Sequence, residues 1–552
     1  MKCGRIPPTA SARVSVSDAS LRSGRKASRN SAQHDGWFSF CIAATRQHGG
    51  DSTRVRRMTL AHQTAESAAR ALAIAAFAVA LAQPLARLLA HTHGRRRTLA
   101  WALLLAPLLT PALLVSYAYS HLALRLMAVP GGIAALYAVV LALKLTPVAA
   151  VIAHFVPPAL SAEAAHCHAL LAGARWRRWI FRLRGAGRTP LVAGGLVFLF
   201  AFTDFELASL WSLKTWTVAL FDAQVGGLAL GESLRLAAFP LGIEIAVLAV
   251  MLRAPALPRA PTGGGKALGR FARPALLAYL GGAVLLACGW PLLFVTAQAI
   301  TGFRAVAENF VLARDLAVSL GFAFGGALGA WWLAAAARPA NEGGSKTRNT
   351  RNFRERPRKE ELPKVFFSRP FAYLSRVSRF LPQTSGSRSR DLCATLLAAP
   401  GLLGALLLSL LILPVFQFPA LRPAYDTPLP LLLALTLLLL PFALPLRWLL
   451  DASRRNPALH LARLAGSSAL VWRLDTRRRW LAVFLLFCWA YFDFTAGSIL
   501  APIGLTPVFV RLHNLAHYGQ TAVLSAMFLA AFAAPVAVLL LTAPAARWYA
   551  RR

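Results

Sequence analysis

The sequence is short of the features that soluble enzymes depend on. Its six cysteines (Cys3, Cys41, Cys167, Cys288, Cys393 and Cys488) are scattered, with no CxxC pair and no His/Cys cluster at metal-ligand spacing. They read as small apolar residues, and a bundle of this size does not depend on disulfides, so they leave the compartment open. No segment fits the phosphate-cradling pattern GxxxxGK followed by Ser or Thr: Gly263-Gly264-Gly265-Lys266 runs into Ala267, and Gly343-Gly344-Ser345-Lys346 has the wrong order. On this reading the chain does not hydrolyse ATP by itself. No Ser/His/Asp or HExxH constellation offers another reaction, so no catalytic residue, metal ligand or cofactor is predicted, and a membrane-embedded enzyme is the weaker reading.

Acidic residues are scarce as well, 21 Asp and Glu against 60 Lys and Arg, for a formal charge of +39. Such an excess is the usual footprint of a phosphate binder. Its placement argues against a nucleic-acid partner, because the basic residues fall in every second connection between apolar segments, the asymmetry that orients membrane proteins with positive loops in the cytoplasm.

What the chain does have is apolar sequence. Across 552 residues it is 57% hydrophobic with a mean hydropathy of +0.54, more apolar surface than a soluble core of this size can hide. A spanning helix needs roughly 20 mostly apolar residues, and such stretches recur at about 68–90, 99–124, 131–156, 190–212, 236–253, 275–300, 315–337, 393–415, 428–450, 480–502 and 519–543. The fold class is therefore all-α, a polytopic membrane protein with about eleven (10–12) transmembrane helices. Arg95-Arg96-Arg97, the segment 157–188 with Arg175, Arg177, Arg178, Arg182, Arg184 and Arg188, and the segments 254–274, 338–392 and 451–479 are strongly basic and are assigned to the cytoplasm. Segments 213–235 and 416–427 are close to neutral and are assigned to the outer side.

Residues 1–57 are rich in Arg and Ser, contain no run long enough to span, and read as a disordered basic extension. An odd number of spans puts this basic tail outside; the simplest resolution is that 1–57 is not a faithful N-terminus, with Met58 as an alternative start. The 338–392 segment carries Lys346, Arg348, Arg351, Arg354, Arg356, Arg358 and Lys359. It reads as a solvated cytoplasmic insertion ahead of a nucleic-acid or regulatory module, and its charge suits anionic lipid headgroups.

An internal repeat is visible. Ala201-Phe202-Thr203-Asp204-Phe205 followed by Ser209 matches Ala490-Tyr491-Phe492-Asp493-Phe494 followed by Ser498 at a constant offset. Leu171-Ala172-Gly173-Ala174 and Leu464-Ala465-Gly466-Ser467 precede these copies, and Ala106-Pro107-Leu108-Leu109 corresponds to Ala399-Pro400-Gly401-Leu402. The reading is two homologous halves, 65–255 and 275–550, of the same orientation, with a pseudo-two-fold axis along the membrane normal and a pathway between them.

At these residues the chain resembles the fused two-domain permeases of binding-protein-dependent type I ABC importers, in the iron(III) branch, over roughly residues 65–550. Asp204-Phe205 continuing to Lys214-Thr215-Trp216-Thr217-Val218-Ala219-Leu220-Phe221 is similar to that family's Asp-Phe-Gly helix end and Thr-rich outer loop, and Thr506 to Gly519 is similar to the corresponding second loop. Gly173 and Gly466 hold the glycine position of the family's coupling loops. The triplet ahead of them reads Cys167-His168-Ala169 and His460-Leu461-Ala462 where the family has Glu-Ala-Ala, and the later Leu-Pro is missing. The resemblance implies a cytoplasmic ATPase subunit, acting as a dimer, docked at loops containing Ala172, Gly173, Ala174, Arg175 and Trp176 and Ala465, Gly466 and Ser467. It also implies an external solute-binding protein, iron(III) or a similar small ligand as cargo, and the cell inner membrane. The plainer reading of the loops is a positive-inside anchor with interfacial Trp.

Ionisable residues inside spans mark a pathway or a paired structural site. Asp204, Glu206 and Asp493 lie in the outer half of repeat-equivalent helices, and Lys144 and His154 in the helix before the first coupling loop. Asp204 and Asp493 either flank a translocation path or hold a helix end near the outer surface. A non-transporting membrane scaffold that keeps the fold is the alternative to an importer.

Overall fold

A computed structural model describes residues 52–155, 167, 188–253, 271–307, 310–337, 396–453, 457–516 and 521–549, and among them all regular structure is helical. The chain opens with α1 (Ser52–His91), α2 (Gly94–Leu109), α3 (Ala112–Ala118), α4 (Ser120–Leu126) and α5 (Gly132–Phe155). Then come α6 (Arg188–Phe202), α7 (Glu206–Leu210), α8 (Trp216–Val225) and α9 (Leu230–Arg253). Helix α10 (Ala272–Val284) passes through a π turn at Leu285–Gly289 into α11 (Trp290–Ala307), and α12 (Phe310–Ala336) follows. The remainder comprises α13 (Leu396–Leu402), α14 (Gly404–Gln417), α15 (Leu429–Ser453), α16 (Pro457–Leu464), α17 (Ser468–Val471), α18 (Arg477–Phe492), α19 (Thr495–Leu500), α20 (Val508–Ala516) and α21 (Thr521–Tyr549).

The protein is an all-α multi-pass membrane protein. Eight helices are long and apolar enough to cross a membrane, or ten when α2–α3 and α13–α14 each count as one bent span. The sequence predicts eleven, and the difference lies at 480–502. There α18 is 16 residues long and stops where Asp493 turns extended (φ −69, ψ 121). Two other boundaries move: α1 reaches back to Ser52, into the segment read as an N-terminal extension, and α9 begins at Leu230 rather than 236. Residues 1–51, the predicted insertion 338–392 and the first predicted coupling loop (Ala172, Gly173, Ala174, Arg175, Trp176) lie outside the described residues.

Packing follows a recurring order. Helices α1, α5 and α6 pack on one another, and α12, α15 and α18 do the same. In each set a bent pair comes between the first and second members, turning 78° between α2 and α3 and 111° between α13 and α14. Of the prolines read as kinks, Pro107, Pro111, Pro400 and Pro414, only Pro111 lies at one of these bends. In the first, Pro111 is the N-cap of α3; in the second, Gly404 takes φ +81, a left-handed conformation that strains any residue with a Cβ. Helices α10 and α11 stand outside this order, and α11 lies along α21.

Because lipid is as apolar as leucine, helix association here rests on close packing by small residues and on internal hydrogen bonds. Along α1 the buried positions include Ala71, Ile74, Ala75, Ala78, Ala82 and Leu85, a stripe at helical spacing. Ala323, Ala327, Ala330 and Ala334 make the matching stripe on α12. Gly401 is one of the closest approaches between helices, since a Cβ there would run into the Leu437 carbonyl oxygen of α15 and the Pro441 ring. Backbone cannot swing aside as a side chain can. Gly401→Val is therefore expected to destabilise the protein by about 1–3 kcal/mol, read as a lowered thermal midpoint in detergent, while Gly281→Val, where a Cβ meets nothing within 4 Å, leaves it unchanged.

Candidate functional site

The repeated motif, Ala201 to Phe205 and Ala490 to Phe494, sits at a helix break in both sets. Helix α6 stops at Phe202 and α7 restarts at Glu206; α18 stops at Phe492 and α19 restarts at Thr495. Breaking a helix inside a membrane strands backbone groups, each of which needs a new partner. In the first copy Trp216 Nε1 donates to the Phe202 carbonyl (2.8 Å) and Thr217 Oγ1 to the Asp204 carbonyl (3.0 Å). In the second, the Asp493 carboxylate accepts the Ala496 N–H (2.9 Å), holding the first turn of α19 as a capping side chain does.

The short helices after the breaks are tied down alike. The Trp216 N–H, at the start of α8, donates to Ser67 Oγ of α1 (3.4 Å), and the Val508 N–H, at the start of α20, donates to Ser319 Oγ of α12 (2.6 Å). Both serines are buried. An aromatic pair joins each break to its short helix: Phe205 lies 4.8 Å from Phe221, and Phe494 lies 4.4 Å from the His513 ring.

The two breaks meet. Phe205 and Phe494, the repeat-equivalent phenylalanines, stack with centroids 6.4 Å apart and planes 8° from parallel. A second equivalent pair, Phe200 and Trp489, meets at 6.2 Å, with Phe442 stacked on Phe200 (5.4 Å) and 4.1 Å from Trp489. Residues at the constant offset of the sequence repeat thus touch one another in two layers.

The predicted pathway residues Asp204, Glu206 and Asp493 all come to this junction. The Tyr137 hydroxyl lies between the Ala201 carbonyl (3.4 Å) and the Asp204 carboxylate, whose Oδ2 is buried without a hydrogen-bond partner among the described residues. Glu206 crosses to the other set: its Oε1 accepts the Phe494 N–H (3.1 Å), and Thr495 supplies further hydrogen bonds from its backbone and side chain. Helix α19 thus starts against two carboxylates, its own Asp493 and the opposite Glu206, which suits the positive end of a helix. A small cavity beside Asp493 is lined by Ser319, Tyr491, Gly497 and Pro507 among others.

Lys144 and His154 are accounted for locally. Lys144 is buried and donates Nζ to the Thr110 carbonyl (2.7 Å), at the C-terminal end of α2 where the chain bends, and the opposite charges that act on it are those of Glu206 and Asp204. His154 Nδ1 lies 3.4 Å from the Ala86 carbonyl, with its ring edge-on to Trp101. No group of three His, Cys, Asp or Glu side chains that could hold a metal ion occurs among the described residues.

Of the two predicted coupling loops, the second is described. Helix α16 buries Leu459 and Ala462 and exposes Leu461 (63%) and Leu464 (72%). It ends with Ala465 N–H on the Leu461 carbonyl (2.9 Å) and Ser467 N–H on the Ala462 carbonyl (3.0 Å), while Gly466 takes φ +63. This is a left-handed helix stop that needs glycine. Behind it, Arg479 of α18 bridges Asp475 (2.7 Å) of a second π turn, Trp472–Thr476, which follows α17, and Asp451 (2.7 Å) of α15. Arg447 continues the chain, donating to the Trp331 carbonyl (3.0 Å) with its guanidinium 4.7 Å over the Trp331 ring.

Sequence reasoning singled out the acids but missed Phe200, Trp489, Ser67 and Ser319. The aromatic pair was within reach of it, since Phe200 and Trp489 fall at the same constant offset as the Asp-Phe motif. The serines lie on helices whose repeat similarity is not visible in sequence. Compared with models of protein families, with curated proteins and with solved structures, the chain has no match in any of the three.

Proposed function

We propose that the chain is the fused permease of an ABC importer in the cell inner membrane, passing a solute along the axis between its two sets of helices. The observation that carries this reading is the meeting of repeat-equivalent breaks at Phe205 and Phe494. Related bundles that touch along one axis at broken helices are a form that transporters use, because non-helical backbone at membrane depth is tolerated where it is buried or lines a cavity. A separate cytoplasmic ATPase dimer supplies the energy and an external binding protein delivers the solute, iron(III) or a similar small ligand by family resemblance. The chain itself is not an enzyme on this reading.

The ATPase docks at the loops around Gly173 and Gly466. The exposed Leu461 and Leu464 on α16 support this, being apolar side chains displayed on a short helix of the basic face. Replacing Gly466 with valine costs about 1 kcal/mol locally through its left-handed φ, enough to redirect the end of α16. Gly466→Val is expected to lower co-purification of the ATPase severalfold, and Leu461→Asp with Leu464→Asp to lower it further. Unchanged co-purification would remove this loop as the docking site.

The test of the function is reconstitution of the full chain in lipid with its candidate ATPase, followed by addition of the binding protein. ATP hydrolysis is expected to rise when the binding protein is present. A second reading, a non-transporting scaffold, draws on the departures at Cys167-His168-Ala169 and His460-Leu461-Ala462 from the family triplet. Stable association with no stimulation, or no association with any ATPase, would support it instead.

A further inference from the structure

We infer that Phe205 and Phe494 form a closed gate on the axis, latched from one side only by Glu206. The inference rests on the permease reading and adds which residues seal the path and how the seal is held. Two rings from equivalent positions stacked at 6.4 Å leave no room for a hydrated solute between them. Each ring is backed on its own side, Phe205 by Phe221 and Phe494 by His513, so neither can swing away without moving α8 or α20. Phe205 and Phe494 are both buried, at 4% exposure.

The latch breaks the symmetry. The repeat equivalent of Glu206 is Thr495, whose hydroxyl bonds Glu206 itself and not the backbone of Phe205. Glu206 accepts the N–H of Phe494 itself, the backbone of the gate residue, together with hydrogen bonds from Thr495. The first set therefore grips the second at the base of α19, and among the described residues no side chain of the second set takes the Phe205 N–H in return. The other charged groups at this junction, Asp204, Asp493 and Lys144, act on Glu206 through space or hold their own chain. Opening the axis requires the Glu206 contact to release and α19 to shift with Phe494. Gating is then led by the second set, whose short helix is the one held from outside its own half.

Trp489 lies in the next aromatic layer below the gate, so a cysteine there reports whether the gate seals. The experiment uses the full chain in proteoliposomes, with its native cysteines replaced by alanine and Trp489→Cys added. Labelling by a membrane-impermeant maleimide is followed from the side carrying Ile503. With Phe205 and Phe494 intact, labelling is expected to be slow. Adding Phe205→Ala with Phe494→Ala is expected to raise the rate by about tenfold, the scale set by losing a stacked pair. Glu206→Gln keeps the shape and weakens the latch, and is expected to raise it by about threefold; this variant tests the proposal even if the double alanine chain fails to fold. Fast labelling with both phenylalanines present, or a rate unmoved by Glu206→Gln in a folded chain, would overturn the gate. Labelling does not involve ATP hydrolysis, so a failed gate and a failed permease reading are told apart.

Discussion

Replacing Trp216 with alanine is expected to destabilise the protein by about 3–5 kcal/mol, the range for emptying a fully buried large aromatic site. Trp216 is 0% exposed, its ring lies 5.3 Å from that of Phe202, and its Nε1 is the donor that serves the Phe202 carbonyl at the end of α6. Alanine leaves a cavity and a stranded carbonyl at the same point. Phenylalanine fills most of the cavity and loses only the hydrogen bond, so Trp216→Phe is expected to cost about 1–2 kcal/mol. Thermal unfolding in lipid nanodiscs, with the two variants side by side, measures both. Equal losses would mean that the hydrogen bond, rather than packing, holds the break.

The second large effect is expected at Arg479. Its guanidinium bridges Asp475 and Asp451, with the three side chains only 15%, 7% and 23% exposed. Removing it leaves two partly buried carboxylates, a loss of about 2–4 kcal/mol, below the value for full burial because Asp451 keeps some solvent and Arg447 nearby. Removing Asp451 as well takes away one stranded charge, so Arg479→Ala with Asp451→Ala is expected to cost less than the sum of the single changes. A double-mutant cycle on the unfolding midpoint reads this coupling. Additive losses would show that Arg479 acts through Asp475 alone. This ionic chain runs from the π turn after α17 through α18 and α15 to Trp331 of α12 and so ties that turn to three longer helices.

Much of the architecture was readable because lipid imposes a simple rule, that backbone groups be satisfied within a helix and side chains be apolar. Long runs such as Gly132–Phe155 and Thr521–Thr542 follow it and were placed within a few residues. The rule says nothing about where a helix is interrupted. Asp493 ends α18 because its carboxylate takes the Ala496 N–H, and a hydropathy window averages across that break. The bend at Pro111 is legible, because proline stands out in an apolar run, whereas the second bend falls at Gly404 rather than at Pro400, where the left-handed backbone angle is supplied by glycine. At the site, a charged residue in an apolar run is conspicuous, so Asp204, Glu206 and Asp493 could be named. Their relation could not, because Glu206 reaches a partner 288 positions away and only the folded chain brings the two together. Lys144 shows the opposite lesson, a conspicuous charge whose hydrogen bond goes to a helix end.

The central claim is that two sets of helices share one orientation and meet on an axis normal to the membrane. Single cysteines in a cysteine-free chain test it most directly, at Val225 and Ile503 after the two breaks and at Arg96 and Leu461 on the basic connections, all four exposed. In intact cells an impermeant thiol reagent is expected to label Val225→Cys and Ile503→Cys, and to reach Arg96→Cys and Leu461→Cys only after permeabilisation. Labelling of Val225→Cys and Ile503→Cys from opposite sides of the membrane would contradict the account, since the two halves would then be inverted and no axis along the normal could relate them.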